Sequence, residues 1–426
     1  MQSRSTVWYK VATLFLVLAL LVPVLAACGG DNGEKTPTPS VTAPVAITPA
    51  ATTPAATTPV ATTPAATVSK GPVKIGALVS WSGQVGVSGI LADRSIKVVN
   101  YQVEKMGGIL GGRPLEIVKC DDKSQLSGTI ACWTKLVDQE KVSAIVFGGA
   151  IDAFLVEGYD LAEKYKMPFF SFTPIGDTTQ KPYSVTCTFN LLDITKYIAD
   201  YVLNDLKPKT AAILSDDTEA YRGYADYLKE RMQKAGVDVV YTESIPVSTT
   251  DFSSYVTKAK YENPDVLLQG FSNEGAYAVI FNEISELGGW GNMKCVNYCP
   301  SSTGASAIKR PAAVGTYHWI MRMPGMDNPG SRKYKQDWKD ILGGAPNPLD
   351  DYFYYTLWTA ISAIEQAGSD NPQKVAEVMR SGHLQWESPS GLITIFPDGD
   401  THLRGFIVQV NDKHELALVK DLSLSQ

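Results

Sequence analysis

The chain has 426 residues, with 44 acids against 38 bases and a formal charge of −6. It carries no basic cluster, so nucleic acid is not expected as a partner. Roughly 355 residues follow Lys70, too many for one ordinary core, so two lobes are expected.

Arg4 and Lys10 precede an apolar run from Val11 to Ala26 that Pro23 interrupts. This is the pattern of a signal peptide rather than a membrane span. The run ends in Leu25-Ala26-Ala27-Cys28-Gly29, and small residues followed by a Cys resemble the lipobox of bacterial lipoproteins. That resemblance implies cleavage after residues 1–27, diacylglycerol on the Cys28 sulfur and an acyl group on its amine. Several acyl chains anchor stably where one alone is marginal. With Arg4 and Lys10 gone, 36 bases face 44 acids, a formal charge of −8. Lys35 to Val68 is Pro, Thr, Ala and Val, with Ala-Thr-Thr-Pro recurring at Ala51, Ala56 and Ala61. Such a stretch cannot bury enough surface to offset its ordering entropy, so residues 28–70 are read as a disordered tether. No later apolar run reaches membrane-spanning length.

Val73-Lys74-Ile75-Gly76-Ala77-Leu78-Val79 reads as a strand buried on both faces. The Ser/Gly-rich loop Ser80-Trp81-Ser82-Gly83 follows, then a helix with Ala92, Ile96, Val99, Val103 and Met106 on one face. Gly107-Gly108 closes that helix, and a second strand from Leu115 to Val118 runs into Asp121-Asp122. The loop lies at the carboxyl end of a strand, where such sheets bind ligands, and free N–H groups at the helix start would favour an anion. A helix over Gly128–Asp138, a strand over Val142–Phe147, a helix over Phe154–Tyr165 and a strand over Phe169–Phe172 continue the alternation. After Val185–Phe189 it begins again: helix Ile194–Leu206, strand Ala211–Leu214, helix Tyr221–Ala235, strand Val239–Tyr241, helix Phe252–Tyr261, strand Val266–Leu268, helix Glu274–Leu287 and strand Lys294–Tyr298. Gly315–Met321 is a β-like run that could cross back to the first lobe. Helices over Asp351–Ala367 and Gln373–Arg380 follow, then strands over Leu392–Phe396 and Phe406–Val410. Regular alternation means α/β, with doubly wound parallel sheets.

Five cysteines remain besides Cys28. Cys120 ends a strand and Cys132 lies on the next helix, so they could meet; Cys295 and Cys299 flank a strand end. Spacing does not decide either pairing. Enzyme signatures are missing: there is no phosphate loop or Gly-x-Ser-x-Gly elbow. The four histidines (His318, His383, His402, His414) lack metal-ligand spacing, and no catalytic residue, metal or cofactor is expected. Asp121-Asp122 and Asp216-Asp217 sit at strand ends, where acids are more often caps or turn formers.

From Val73 to Val419 the chain resembles the periplasmic leucine/isoleucine/valine-binding family, the type I solute-binding proteins of ABC importers. The resemblance rests on Lys74-Ile75-Gly76 through Ser82-Gly83, on Gly107-Gly108-Ile109 with Gly111-Gly112-Arg113-Pro114-Leu115-Glu116, and on Asp121-Asp122. Asp216 through Tyr221-Gly223 and Phe396-Pro397-Asp398-Gly399-Asp400 complete it. It implies two Rossmann-like lobes joined by three crossings, with ligand between them and hinged closure. The expected division is 71–188 plus 319–400 for the N-terminal lobe and 189–318 plus 401–426 for the C-terminal lobe.

The family pattern implies a ligand site of Trp81 and Ser82 on the first loop, with Ser171 and Thr173 after the fourth strand supplying hydroxyls toward a carboxylate. On the second lobe it implies Tyr221, which closes over the ligand, Phe271 and Asn273 on one loop, and Tyr298 at a strand end. Two departures stand out. Gly149-Ala150-Ile151-Asp152-Ala153-Phe154 replaces a Ser-rich loop, and Cys299-Pro300 stands where the amino-acid binders place an acid for the amine. Either Asp152 takes the amine, which needs a paired anion when desolvated, or no amine is bound. In the second case Trp81, Phe154, Tyr221, Phe271 and Tyr298 line a pocket for an aromatic or aliphatic carboxylate. Each aromatic could equally be core, Phe271 as readily as not. The expected partners are a small carboxylate or amino acid, an ABC permease with its ATPase, and the outer face of the cell membrane through the lipid anchor; a monomer is expected. A sensing module of the same fold is the alternative.

Overall fold

The computed structural model describes residues 71–422 except 150–151, 173–178, 274, 299–306, 324, 347–349 and 404. The leader, Cys28, the tether and Thr173 lie outside the described residues.

The first sheet takes β1 (Val73–Val79), β2 (Leu115–Asp121), β3 (Ala144–Phe147), β4 (Phe169–Ser171) and β5 (Ser184–Thr186) in the order β2-β1-β3-β4-β5. Every neighbouring pair is parallel. Helices α1 (Val87–Lys105), α2 (Leu126–Thr134) and α3 (Asp152–Tyr165) alternate with the strands. The apolar spacing of α1 works as read: Ala92, Ile96, Val99 and Val103 are buried, while Met106, just past the last turn, is exposed. A Cys120–Cys132 disulfide joins β2 to α2. Cys187 and Cys295 are buried free thiols, and Cys299 lies outside the described residues.

The second sheet takes β6 (Thr210–Asp216), β7 (Asp238–Ile245), β8 (Val266–Gly270), β9 (Lys294–Tyr298), β10 (Tyr317–Ile320), β13 (Phe406–Val410) and β14 (Leu416–Asp421), in the order β14-β13-β10-β9-β8-β6-β7. Strands β6 to β10 are parallel, and β13 and β14 are antiparallel additions. The intervening helices are α4 (Leu191–Tyr201), α5 (Glu219–Lys234), α6 (Ser253–Tyr261) and α7 (Gly275–Glu286). Between β10 and β13 come α8 (Pro329–Leu342), α9 (Asp350–Ala367), α10 (Pro372–Met379) and the hairpin of β11 (Leu384–Ser388) with β12 (Gly391–Ile395). Helix α9 packs on α1, β3 and β4, so this insertion belongs with the first sheet. The chain therefore passes between the two layers three times: after β5, after β10 and after β12.

The Gly315–Met321 run does not itself cross back. β10 pairs with β9 and β13 inside the second sheet, and the chain leaves only after Ile320, so the expected boundary at 318/319 cuts through a strand. The cause is side-chain packing, since Trp319 is fully buried and stacks on Tyr298 with centroids 6.2 Å apart. Helix α8 and strands β11 and β14 have no counterpart in the sequence reading. In α8 only Ser331, Tyr334, Asp337 and Trp338 are buried, a stripe too polar to show as an apolar period.

Helix α9 begins with two buried acids. Asp350 receives a two-pronged ion pair from Arg94 of α1 (3.0 Å on each prong). Asp351 receives Arg322, just past β10 (2.7 and 3.2 Å), and the Tyr334 hydroxyl (2.6 Å). Removing one member of a buried pair strands the other charge, which costs about 3–5 kcal/mol. Arg322→Leu should lower unfolding stability by about that amount, and Arg322→Leu with Asp351→Leu should recover most of it. Urea denaturation checks this, and a double variant no better than the single would refute the account.

Candidate functional site

At the carboxyl end of β1 the expected anion-binding loop is already satisfied by the protein. Asp121, the last residue of β2, accepts hydrogen bonds from the backbone N–H of Trp81 (2.9 Å) and Ser82 (3.2 Å) and from the Ser82 hydroxyl (2.6 Å). Burial pushes the Asp121 carboxyl up, but these bonds and the Lys123 N–H outweigh it and hold the group below the usual carboxylate range. Asp122 beneath it is fully buried and its carboxyl is pushed up by burial, although Ser80 Oγ (2.5 Å) and the Ser124 N–H (2.8 Å) both donate to it. Trp81 is fixed toward the sheet edge. Its indole N–H donates to Asp93 of α1 (2.8 Å), and Lys119 of β2 lies 5.5 Å from the ring centroid.

The other expected residues divide into three groups. Tyr221 and Tyr298 come together edge to face, with centroids 5.5 Å apart, at the carboxyl ends of the second sheet. Gly270, at the end of β8, makes room for this arrangement: a Cβ there would stand 2.5 Å from the Tyr224 ring and 3.1 Å from that of Tyr221. A second group is packed inward. Ser171 is fully buried, its hydroxyl 3.5 Å from Tyr159 OH and 3.4 Å from the Val185 carbonyl. Phe154 lies in the buried cluster with Phe147, Leu155 and Phe169. Phe271 packs edge to face on Phe252 and Tyr277, 5.6 Å from each. Asn273 is exposed and caps α7, its side-chain oxygen accepting the Gly275 N–H at 3.0 Å. Asp152 opens α3, and its side chain, like all of Thr173, lies outside the description. Asp216 knits two strand ends, accepting the Thr218 hydroxyl (2.6 Å) on one oxygen and the Ser272 hydroxyl (2.6 Å) on the other, a turn-forming role.

Sequence reasoning missed four rings that complete a column between the two sheets. Phe172, after β4, stacks on Tyr352 of α9 at 5.4 Å and 7°. Tyr352 meets Phe189 edge to face at 5.8 Å, and Phe189 meets Trp319 at 5.1 Å and Tyr298 at 6.3 Å. Phe189 lies on the first crossing, so one ring touches the first layer through Tyr352 and the second through Trp319 and Tyr298. The residues form part of one buried apolar cluster that includes β1 and β3 on one side and β6 and β8 on the other. The aromatic-rich start of α9 was the available signal, because a run of rings at strand-end level has little else to cover. Among the described residues no group of three or more His, Cys, Asp or Glu side chains could hold a metal ion.

The sequence profile of a family described as "Periplasmic binding protein" matches residues 72–415. A Leu/Ile/Val-binding protein of Citrobacter freundii is 23% identical over 354 residues, covering 80% of this chain and 91% of that protein. An amino acid binding protein of Pseudomonas aeruginosa is 25% identical over 289 residues, covering 66% of this chain and 75% of its own. Among solved structures, the branched-chain amino acid transporter substrate binding protein LivJ of Streptococcus pneumoniae, in complex with isoleucine, superposes with a TM-score of 0.68 at 20% identity. That match covers 82% of this chain and 100% of the other. A solute binding protein of an ABC transporter from Rhodopseudomonas palustris BisB5, in complex with 3,4-dihydroxybenzoic acid, gives 0.68 at 22% identity, covering 82% and 96%.

The Asp121 bonds set a pH limit on the first loop. A carboxyl held below its unfolded value contributes stability that is present above about pH 4 and lost as pH falls through the lowered pKa. The site is largely exposed, so the global effect should stay under about 1 kcal/mol. The expected result is a shift of the Trp81 and Ser82 backbone amide resonances below about pH 4, reproduced at neutral pH by Asp121→Asn. Amide resonances indifferent to both would remove Asp121 from this role.

Proposed function

The chain belongs to the periplasmic binding protein family, and from that premise we propose that it is the extracytoplasmic substrate-binding lipoprotein of an ABC importer. It takes a small carboxylate, foremost a branched-chain or other hydrophobic amino acid, between its lobes and delivers it to the permease. The aromatic column through Phe189 carries this reading, because it sets apolar rings at the strand ends of both sheets where the chain crosses between them. Ligand contact with both sides would favour the closed arrangement by its differential affinity, with no covalent step. Trp81, Ser82, Asp152, Thr173, Tyr221 and Tyr298 remain the proposed contacts, now joined by Phe189 and Tyr352. Ser171, Phe154, Phe271 and Asn273 have packing and capping roles that account for them without a ligand.

A second reading, an aromatic carboxylate without an amine, is favoured by the same column. Flat rings stacked or edge-on at 5–6 Å are suited to a flat guest. The resemblance adds that the amine-binding acid is replaced by Cys299-Pro300. Isothermal calorimetry against branched-chain amino acids, benzoate and 3,4-dihydroxybenzoate separates the two readings, and flat traces throughout would count against both. For whichever ligand binds, Tyr221→Ala should weaken affinity by about tenfold or more, since an aromatic truncation at a contact costs about 1–3 kcal/mol. Phe271→Ala should instead destabilise the fold by about 3–5 kcal/mol with little change in affinity of the folded fraction.

The anchor has its own test. Cys28→Ala should abolish metabolic palmitate labelling and release the protein from the membrane, and labelling that persists would remove the lipoprotein reading. Loss of uptake on deletion of a neighbouring permease would favour transport over sensing.

A further inference from the structure

The third crossing, Phe396–Gly405, contains an ion cluster that the binding role does not use. His402 holds one ring nitrogen 2.9 Å from Asp193 Oδ2 and the other 2.7 Å from Asp398 Oδ2. Carboxylates only accept hydrogen bonds, whereas a neutral imidazole donates from one nitrogen alone. Both contacts are therefore satisfied together only by the imidazolium. The two acids belong to different sides. Asp193 is in the first turn of α4, which packs on α5 and β9 of the second layer. Asp398 lies in the turn after β12, and that turn is sewn to the first sheet where the Thr186 N–H donates to the Gly399 carbonyl at 2.8 Å. Rotating one layer against the other changes the Asp193–Asp398 separation, and one ring spans it.

The backbone reinforces the assignment. His402 holds a left-handed φ of +47°, which a non-glycine residue adopts only when its surroundings compel it. It stands between Gly399 (φ +87°) and Gly405 (φ +69°), the two left-handed glycines of the crossing. The first crossing runs alongside, with the Thr401 hydroxyl donating to the Thr188 carbonyl. Among the described residues, Lys196, Asp400 and Arg380 are the other charged groups around the ring. Lys196 pairs with Asp193 at 2.8 Å, Asp400 is buried and capped by the Thr401 N–H at 2.8 Å, and Arg380 donates to the Asp398 carbonyl. Phe396 packs edge-on at 4.9 Å.

We propose that His402 is a positioning residue, a cationic latch that bridges α4 and the β12 turn across the third crossing and sets the angle between the two lobes. The hydrogen bond to Asp193, with Asp398 behind it, holds the imidazolium to about 9, and the His402 bond holds Asp193 down to about 2. Because the His402 pKa is raised, the latch is complete below about pH 6.5 and opens as pH rises through about 9. On the acid side, Asp193 keeps its charge until pH falls toward about 2. The latch itself does not depend on the solute reading; only its consequence for affinity does.

The test measures the lobe angle without ligand. Spin labels on Glu104→Cys of α1 and Glu230→Cys of α5 report the interlobe distance by pulsed electron resonance. Cys28 and Cys299, which lie outside the described residues, are replaced by Ala and Ser in every labelled protein, and the remaining free thiols, Cys187 and Cys295, are buried and out of reach of the label. Wild-type protein should give one narrow distribution at pH 7 and a broadened or displaced one at pH 10. His402→Asn, which tolerates the left-handed backbone, should show the pH 10 distribution at both values. Asp398→Asn keeps His402 and its bond to Asp193, and should move the distribution in the same direction. One charge-assisted bond at a partly exposed site corresponds to a shift of about threefold to tenfold in the ratio of the two populations. Circular dichroism confirms that each variant is folded. A merely structural role predicts lower melting temperatures with unchanged distances, and folded variants with the wild-type distribution at both pH values would overturn the latch.

Discussion

Two adjacent acids at the start of α9 set the geometry on which the site depends. Asp350 and Asp351 are nearly inaccessible to water, and a buried carboxylate is tolerable only when paired. Here the partners come from opposite directions, Arg94 on α1 and Arg322 at the exit of the second sheet. The acids also occupy the first turn of their helix, where the backbone dipole favours negative charge. Tyr352 is the next residue. Pinning Asp350 and Asp351 leaves α9 little freedom to roll about its axis, so the pair of arginines indirectly aims the Tyr352 ring at Phe172 and Phe189. An insertion between β10 and β13 is thereby made part of the first layer and given a place at the junction.

The junction itself is made of rings rather than charges. Edge-to-face and stacked contacts along the column lie between about 5.1 and 6.3 Å and bury large apolar areas. Dispersion and burial are weakly directional, so such contacts retain much of their strength when one side slides by a fraction of a ring. Ion pairs with fixed donors are less forgiving. The column is therefore suited to hold two layers together through a change of angle, while the charged pairs decide which angles are comfortable.

How much of this was legible follows from the kind of signal each element emits. Doubly buried strands such as β1 appear as continuous apolar runs, and α1 as an apolar period, because one physical requirement fills many neighbouring positions. Helix α8 emits no such signal, since its buried face includes Asp337, whose carboxylate accepts from Gln102 at 2.7 Å, a partner 235 residues away. The candidate site follows the same rule, with positions legible and contacts not. Tyr221 and Tyr298 sit at strand-end positions that a family pattern can mark, and they do meet. Phe189, Trp319 and Tyr352 are brought together only by the crossings, and no local spacing encodes that. Trp81 lies on a loop that the family pattern marks, but the partners that orient its indole, Asp93 and Lys119, stand at spacings that no local pattern encodes.

The three crossings differ in where they can yield. In the first, Thr186 is held in β5 and Asn190 caps α4 by accepting the Leu192 N–H at 2.9 Å. Only Cys187, Thr188 and Phe189 lie between them, and all three are buried. In the second, Ile320 is paired in β10 and Arg322 is fastened to Asp351 of the first layer, so Met321 alone separates the two anchors. The third has the ten residues from Phe396 to Gly405 between the paired strands β12 and β13. Any rotation between the layers would have to turn through torsions in all three crossings, and the second offers the fewest. The third is the longest, yet Thr401 and Gly399 tie it to the first, so its length alone does not set it free. The charged link at His402 lies within that longest crossing and joins α4 to the β12 turn, which is why it bears on the angle between the layers.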